Sequence, residues 1–281
     1  RPTGAGPTVE RGVDRLVATG LPAGPVADNL VLRAAAALRR HLGRPATPLE
    51  FGLDKVVPVA AGLGGGSSDA AAALAVASRA WGATLDRASR LRLAAAVGSD
   101  VPFFALGAPA AWATGRGERL MPLPAPAGAP ACVLAVPVRG VATAVVFESF
   151  DRRPRATRGA HEAAAEATAR LASALRAGLG AAELVRRADE LRDANDLWAA
   201  LAAIRPDVAR LRDDLEARSG RPWLLSGSGP TLFALYASLA EAGAVVEGLD
   251  SWPAAPRRDV RLIATGLGAT RRRPIDTGGA P

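Results

Sequence analysis

The chain is short of several residue types, and each shortage removes a class of function. Cys132 is the sole cysteine in 281 residues. No disulfide can close within the chain and no cysteine metal cluster can form. That poverty fits a reducing compartment, so a cytoplasmic location is expected. The two histidines, His41 and His161, stand far apart on polar helical stretches, where a solvent-facing position is the usual one. Aromatic residues make up 4% of the chain. The arginines are scattered with few rings between them, whereas a nucleic-acid groove interleaves basic residues with stacking rings. The net charge of +8 is therefore not expected to serve nucleic acid. The densest basic run, Arg271-Arg272-Arg273, lies in a Pro/Gly-rich tail and is expected to be a solvated end. No run of roughly 18 or more apolar residues is free of charges and turn formers, so neither a membrane span nor a membrane partner is expected. No apolar segment follows Arg1-Pro2-Thr3-Gly4, so the start does not read as a signal peptide. It also lacks Met, and the chain is expected to begin inside a longer protein. Lysine is almost absent: Lys55 is the single one, and the remaining positive charge is arginine.

What is present describes a globular protein. Hydrophobic residues make up 49% and charged residues 22%, and the length suits two packed domains. Asp28-Asn29 reads as an N-cap, and behind it Leu30, Ala34, Leu38 and Leu42 share one helical face up to Gly43. A short strand or helix is expected near Val9–Val17. Leu49–Val59 reads as a strand containing Lys55. After a glycine segment, Ser68-Asp69 opens an alanine-rich helix with Leu74, Ala77 and Trp81 on one face. Another helix runs from about Asp86 to Val97. Residues 121–130 are linker-like, which divides the chain into 1–127 and 128–281, although a tight β connection fits the same residues. The second half predicts strands at Cys132–Val138, Trp223–Leu225, Phe233–Tyr236 and Val260–Ala264. Its helices are expected at His161–Ala177, Ala181–Asp193, Pro206–Arg218 and Leu239–Gly248. Strands and helices mix in both halves, so the fold class is α/β or α+β.

The glycine segment reads Pro58-Val59-Ala60-Ala61-Gly62-Leu63-Gly64-Gly65-Gly66-Ser67-Ser68. A strand precedes it and a helix follows, so backbone N–H groups and the positive end of a helix dipole converge on one spot. Glycines lack the Cβ atoms that would keep a phosphate away. Ser67 and Ser68 add hydroxyls that can touch phosphate oxygens or a bound Mg²⁺, and Ser68 can also serve as the N-cap of the next helix. A Walker loop would end Gly-Lys-Ser/Thr, and this one has no lysine. A dinucleotide fingerprint begins at Gly62-Leu63-Gly64 but meets a serine at position 67. A purely structural turn is the remaining alternative.

Pro58–Ser68 resembles the second motif of the GHMP kinase superfamily, Pro-x-x-x-Gly-Leu-Gly-x-Gly-Ser-Ser. Ser226-Gly227-Ser228-Gly229-Pro230-Thr231 resembles its third. Gly98-Ser99-Asp100-Val101-Pro102-Phe103-Phe104 is similar to the segment that marks the branch acting on a diphosphocytidyl-capped methylerythritol. Gly115-Arg116-Gly117-Glu118, Thr143–Phe147 and Asn195-Asp196-Leu197 follow in that branch's order. The resemblance runs from about Asp28 to Gly268. It implies a two-domain fold with an ATP-binding first domain, a C-terminal α+β domain and an active site in the cleft between them. It also implies ATP and Mg²⁺ as cofactors and a small-molecule substrate for a monomer or homodimer. The implied reaction is transfer of the ATP γ-phosphate to the 2-hydroxyl of 4-diphosphocytidyl-2-C-methyl-D-erythritol, on the non-mevalonate route to isoprenoids. Homoserine, mevalonate or a sugar as acceptor fits the glycine segment equally well but leaves Gly98–Phe104 unexplained.

Asp100 is the candidate catalytic residue, because phosphoryl transfer needs the attacking hydroxyl oriented and relieved of its proton. The alternative is a cap for the Val101-Pro102 bend. Pro58, Val59, Ala60, Ala61, Gly62, Leu63, Gly64, Gly65, Gly66, Ser67 and Ser68 are the candidate nucleotide residues, with Ser68 on the metal. Gly227, Ser228 and Gly229 join them as the floor of the cleft, or form a plain turn between two strands. Phe147 matches a ring that stacks on cytosine, with core packing of a strand aromatic as its alternative. Thr143 matches a substrate-pocket residue. Asn195 and Asp196 are read as caps, and Arg116 as either a surface turn or a ligand contact.

The superfamily's first motif, Pro-x-Lys-Ile-Asn-Leu followed by Asp-Gly-Tyr-His, has no counterpart in residues 1–27. Its lysine stands beside the catalytic aspartate, and motif order excludes Lys55 from that role. Lys55 is expected as a strand-edge residue with a solvated ammonium. The same gap predicts weak turnover, or nucleotide binding without catalysis, for the chain as it stands.

Overall fold

A computed structural model describes residues 13–153, 158–249 and 259–268, with the side chains of 158–161 excluded. Val9, the His161 side chain and the Arg271–Arg273 run lie outside the described residues, whereas His41 is exposed.

The first half opens with strand β1 (Arg15–Gly20), a short 3₁₀ turn at Val26–Asp28, helix α1 (Leu30–Leu42) and strand β2 (Glu50–Lys55). β1 and β2 pair in parallel, with Arg15 opposite Glu50 and Gly20 opposite Lys55. Helix α1 starts and stops where the sequence says: the Asn29 side chain accepts from Val31 N–H, and Gly43 takes a left-handed conformation at the C-cap. Helix α2 (Gly65–Ala80) begins earlier than Ser68, because Gly64 is the N-cap and the glycines and serines already form the first turn. Helix α3 (Arg87–Val97), capped by Asp86, and helix α4 (Val101–Leu106) complete the helical layer. Its core is Val31, Ala34, Ala35, Leu38, Phe51, Ala70, Leu74, Ala77, Ala94 and Val101. Alanines at the contact positions let α1 and α2 approach closely.

Strands β3 (Ala110–Thr114) and β4 (Arg119–Leu123) form an antiparallel hairpin. Met121–Leu123 therefore belongs to a strand, and the connecting stretch is shorter than the 121–130 read from composition. Strand β5 (Ala131–Pro137) leads to helices α5 (Thr143–Asp151), α6 (Arg158–Arg176), α7 (Ala181–Arg186), α8 (Ala188–Leu191), α9 (Trp198–Ile204) and α10 (Pro206–Ser219). Strands β6 (Leu224–Leu225) and β7 (Leu232–Tyr236), helix α11 (Leu239–Leu249) and strand β8 (Val260–Gly266) follow.

The four late strands make one antiparallel sheet in the order β6-β7-β5-β8. Both faces are covered, which explains why Ala131–Pro137 is a continuous apolar run. Ala131, Val133 and Ala135 point into a cluster with Leu201, Leu215, Trp223, Leu232 and Tyr236. Cys132 points the other way, toward Leu175, Leu179, Leu184 and Leu123. Burial pushes the Cys132 thiol up to about 11, so it is inert. Leu123 carries the β3–β4 hairpin onto this second cluster and so ties the first half to the second. Among the described residues, no helix is long and apolar enough to cross a membrane, and no group of three or more His, Cys, Asp and Glu is placed to hold a metal ion.

Candidate functional site

Helix α2 presents three free donors at its start. Ser68 N–H is bonded to Gly64 O at 2.9 Å, and the preceding N–H groups of Gly65, Gly66 and Ser67 find no acceptor among the described residues. They face a cavity of about 660 Å³. Its wall holds every residue from Pro58 to Ser67, then Ser99, Asp100, Arg116, Thr143, Phe147, Gly227 and Ser228. Sequence positions far apart therefore meet at one opening.

Two predicted residues stand apart. Ser68 lies inside α2 and its hydroxyl donates to Gly65 O at 2.8 Å, so it is not an N-cap and does not line the cavity. Gly229 lies under the second glycine turn, where a Cβ would meet Leu201 and Leu225 side-chain carbons at 2.7 and 2.8 Å.

The glycines differ in purpose. Gly62 has φ +76°, and a Cβ there would come within 2.4 Å of Ser226 O. It is needed for contact with the second glycine turn. At Gly66 a Cβ would meet only Leu30 Cδ1, at 3.7 Å, so that position keeps open space beside the free donors.

Asp100 occupies the N-cap position of α4, yet its side chain makes no cap bond. The carboxylate is exposed on the cavity wall, with neither a hydrogen bond nor a cationic partner among the described residues. The Gly115–Gly117 turn packs beside it. A Cβ on Gly117 would lie 3.4 Å from Ser99 O. Glu118 closes that turn by accepting from Arg116 N–H at 2.7 Å. Its own N–H and that of Arg116 hold the Glu118 carboxyl below the usual range.

Lys55 overturns its expected place. It is 4% exposed and donates to Asp69 Oδ2 at 2.5 Å. The strand period explains this: Phe51, Leu53 and Lys55 alternate toward α2, and Asp69 on the helix supplies the counter-charge. The alternation of β2 was the available signal. Both partners line the cavity. For Phe147 it is the alternative, core packing on a strand, that fails: the residue sits on helix α5, lines the cavity and is 47% exposed. Asn29 is a further wall residue, and its sequence signal announced only the cap. Thr143 Oγ1 and Ser228 Oγ share a hydrogen bond at 2.9 Å. Asn195 does more than cap. Its Oδ1 accepts from Leu197 N–H at 3.0 Å, while its Nδ2 donates to Leu225 O at 3.1 Å and Gly227 O at 2.8 Å.

Free donors at a helix start, a bare aspartate on the same cavity wall and a second glycine turn beside them are the parts a phosphotransfer cleft requires. The defining patterns of the GHMP kinases agree, the N-terminal domain matching residues 29–108 and the C-terminal domain residues 164–255. The chain belongs to the GHMP kinases. Within that family, two similar proteins are both 4-diphosphocytidyl-2-C-methyl-D-erythritol kinases. The one from Synechococcus sp. (strain JA-3-3Ab) is 39% identical over 79% of this chain and 70% of its own length. The one from Thermobifida fusca (strain YX) is 42% identical over 72% of this chain and 62% of its own. A solved 4-(cytidine 5'-diphospho)-2C-methyl-D-erythritol kinase superposes with a TM-score of 0.61 at 31% identity, covering 92% of this chain and 84% of that one.

Proposed function

We propose that the chain transfers the γ-phosphoryl group of ATP to the 2-hydroxyl of 4-diphosphocytidyl-2-C-methyl-D-erythritol. One observation supports this most: a single cavity collects the free N–H groups of Gly65, Gly66 and Ser67, the Asp100 carboxylate and the exposed Phe147 ring. The three N–H donors and the α2 dipole receive phosphate oxygens. The Asp100 carboxylate accepts the proton of the attacking hydroxyl and orients it. The Phe147 ring offers a stacking face to cytosine. Mg²⁺ bound with the nucleotide supplies charge neutralisation at the phosphates. The Ser67 hydroxyl is at hand for it, whereas the Ser68 hydroxyl already donates to Gly65 O.

A second reading, nucleotide binding with little turnover, is favoured by the absence of a cationic partner for Asp100 among the described residues. A coupled ADP assay with the diphosphocytidyl substrate, homoserine and mevalonate separates the possibilities. ADP formed with the first alone supports the proposal. ADP formed with either of the others overturns the substrate assignment. Binding of MgATP without ADP release favours the second reading.

A further inference from the structure

We propose that Asn195 is a positioning residue that holds the nucleotide cradle in place from the far side of the second glycine turn. The inference rests on the kinase reading of the cavity and extends it to a residue that touches neither proposed substrate.

Asn195 uses its two ends for different tasks. The Oδ1 end closes a local turn by accepting from Leu197 N–H, which is what a cap does. The Nδ2 end reaches 30 and 32 positions along the chain, to Leu225 O and Gly227 O. Those carbonyls flank Ser226. The Ser226 hydroxyl donates to Gly62 O at 2.8 Å, and Thr231 N–H donates to Ala61 O at 3.3 Å. Gly62 in turn leads into the first turn of α2, where the free donors are. The cradle is thus bonded to the second glycine turn, and the turn is bonded to Asn195.

The Asn195 side of this relay is itself anchored in the core. Arg212 is fully buried and donates to Asp193 Oδ1 at 2.8 Å and to Arg192 O at 3.1 Å. Its guanidinium lies 4.1 Å from the centre of the Trp198 ring. The turn that carries Asn195 is therefore fixed on one side by Arg212 and joined on the other to Gly227.

Asn195→Asp separates the two tasks. An aspartate keeps the acceptor for Leu197 N–H and caps as well as asparagine, but it has no donor for the two carbonyls and faces them with negative charge. A residue acting only as a cap would tolerate the change. In the full chain, hydrogen exchange without nucleotide is expected to quicken in both 60–68 and 226–231 for Asn195→Asp and Asn195→Ala. MgATP affinity, read with a fluorescent ATP analogue, is expected to fall about tenfold. Wild-type exchange and affinity in Asn195→Asp would overturn the proposal, and so would loosening confined to 226–231. Should the Asn195 variants fail to fold, Ser226→Ala removes the hydroxyl bond to Gly62 O and leaves the longer Thr231–Ala61 bond as the remaining tie. Faster exchange in 60–68 with 226–231 unchanged is then expected, and no change in 60–68 overturns the relay. If the wild type binds no MgATP, the kinase reading falls, while the exchange pattern still decides the role of Asn195.

Discussion

The two glycine segments have similar composition but bond differently. In Pro58–Ser68, the N–H groups of Gly65, Gly66 and Ser67 have no acceptor among the described residues. In Ser226–Thr231, several groups are engaged within the protein, although Gly227 N–H and Ser228 N–H have no acceptor among the described residues and the buried Thr231 hydroxyl has no partner there. Ser226 N–H bonds Thr231 O, Gly229 N–H bonds Ser226 O, and the hydroxyls of Ser226 and Ser228 meet Gly62 O and Thr143 Oγ1. Glycine richness alone does not mark a ligand contact. It marks close approach, and what approaches is largely protein: Gly62 faces Ser226 O, Gly64 the Phe104 ring and Gly65 the Val57 side chain, whereas Gly66 keeps open space. The first segment follows a strand and opens a helix of 16 residues, so its donors are left over by helix geometry. The second joins two short antiparallel strands and bonds partly to itself and partly to the first segment.

Substitutions at glycine should separate these uses. Gly62→Ala places a Cβ against Ser226 O in a left-handed backbone, and about 4 kcal/mol of stability is expected to be lost, measured by denaturant unfolding. An unfolding midpoint equal to the wild type would show that the junction of the two segments yields easily. Removing the charge partner of Lys55 comes next. Asp69→Asn leaves a buried ammonium without its counter-charge, with an expected loss of about 3 kcal/mol. The double variant Lys55→Met/Asp69→Leu is expected to recover most of it. Gly66→Ala should leave stability within about 0.5 kcal/mol of wild type, since the added methyl meets only Leu30 Cδ1. MgATP affinity should nevertheless fall about tenfold if the open space beside the free donors admits a phosphate.

The smallest effect concerns the anchor behind the second segment. Burial raises the Glu216 pKa, but the Arg192 guanidinium, the Trp223 N–H and the nearby Arg212 outweigh it and leave the carboxyl below its ordinary value. A depressed folded-state pKa stabilises at pH above the unfolded value and is lost as pH falls through the folded one. Wild type should therefore exceed Glu216→Gln in stability near neutrality. The gap should close below about pH 4, as followed by thermal unfolding across pH. A gap of constant size would mean that Glu216 acts through packing alone.

Local signals carried much of this architecture. The Asn29 cap, the 3.6-residue period and Gly43 define α1 to the residue, and the glycine segment and Asp100 reach the same cavity as the motif order implied. Less was legible where tertiary contacts decide. The Lys55 charge suggested solvent, yet the β2 alternation and Asp69 place it inside. For Phe147 the sequence left a pocket ring and a strand core both open, and only the helix begun after Ala142, which turns the ring outward, removes the second. Helix α9 has only seven residues and follows a turn held by Asn195, too short for periodicity to register. The partners of Asn195 lie 30 and 32 positions away, beyond any local pattern.

The central claim is that the two segments and Asp100 form one phosphotransfer cleft. ADP release with MgATP and 4-diphosphocytidyl-2-C-methyl-D-erythritol, measured side by side for wild type and Asp100→Asn, tests it directly. The account predicts turnover by the wild type and a loss of about 10²-fold or more in kcat for Asp100→Asn, with MgATP affinity unchanged. Equal turnover in the two proteins, or no MgATP binding by the wild type, would contradict it.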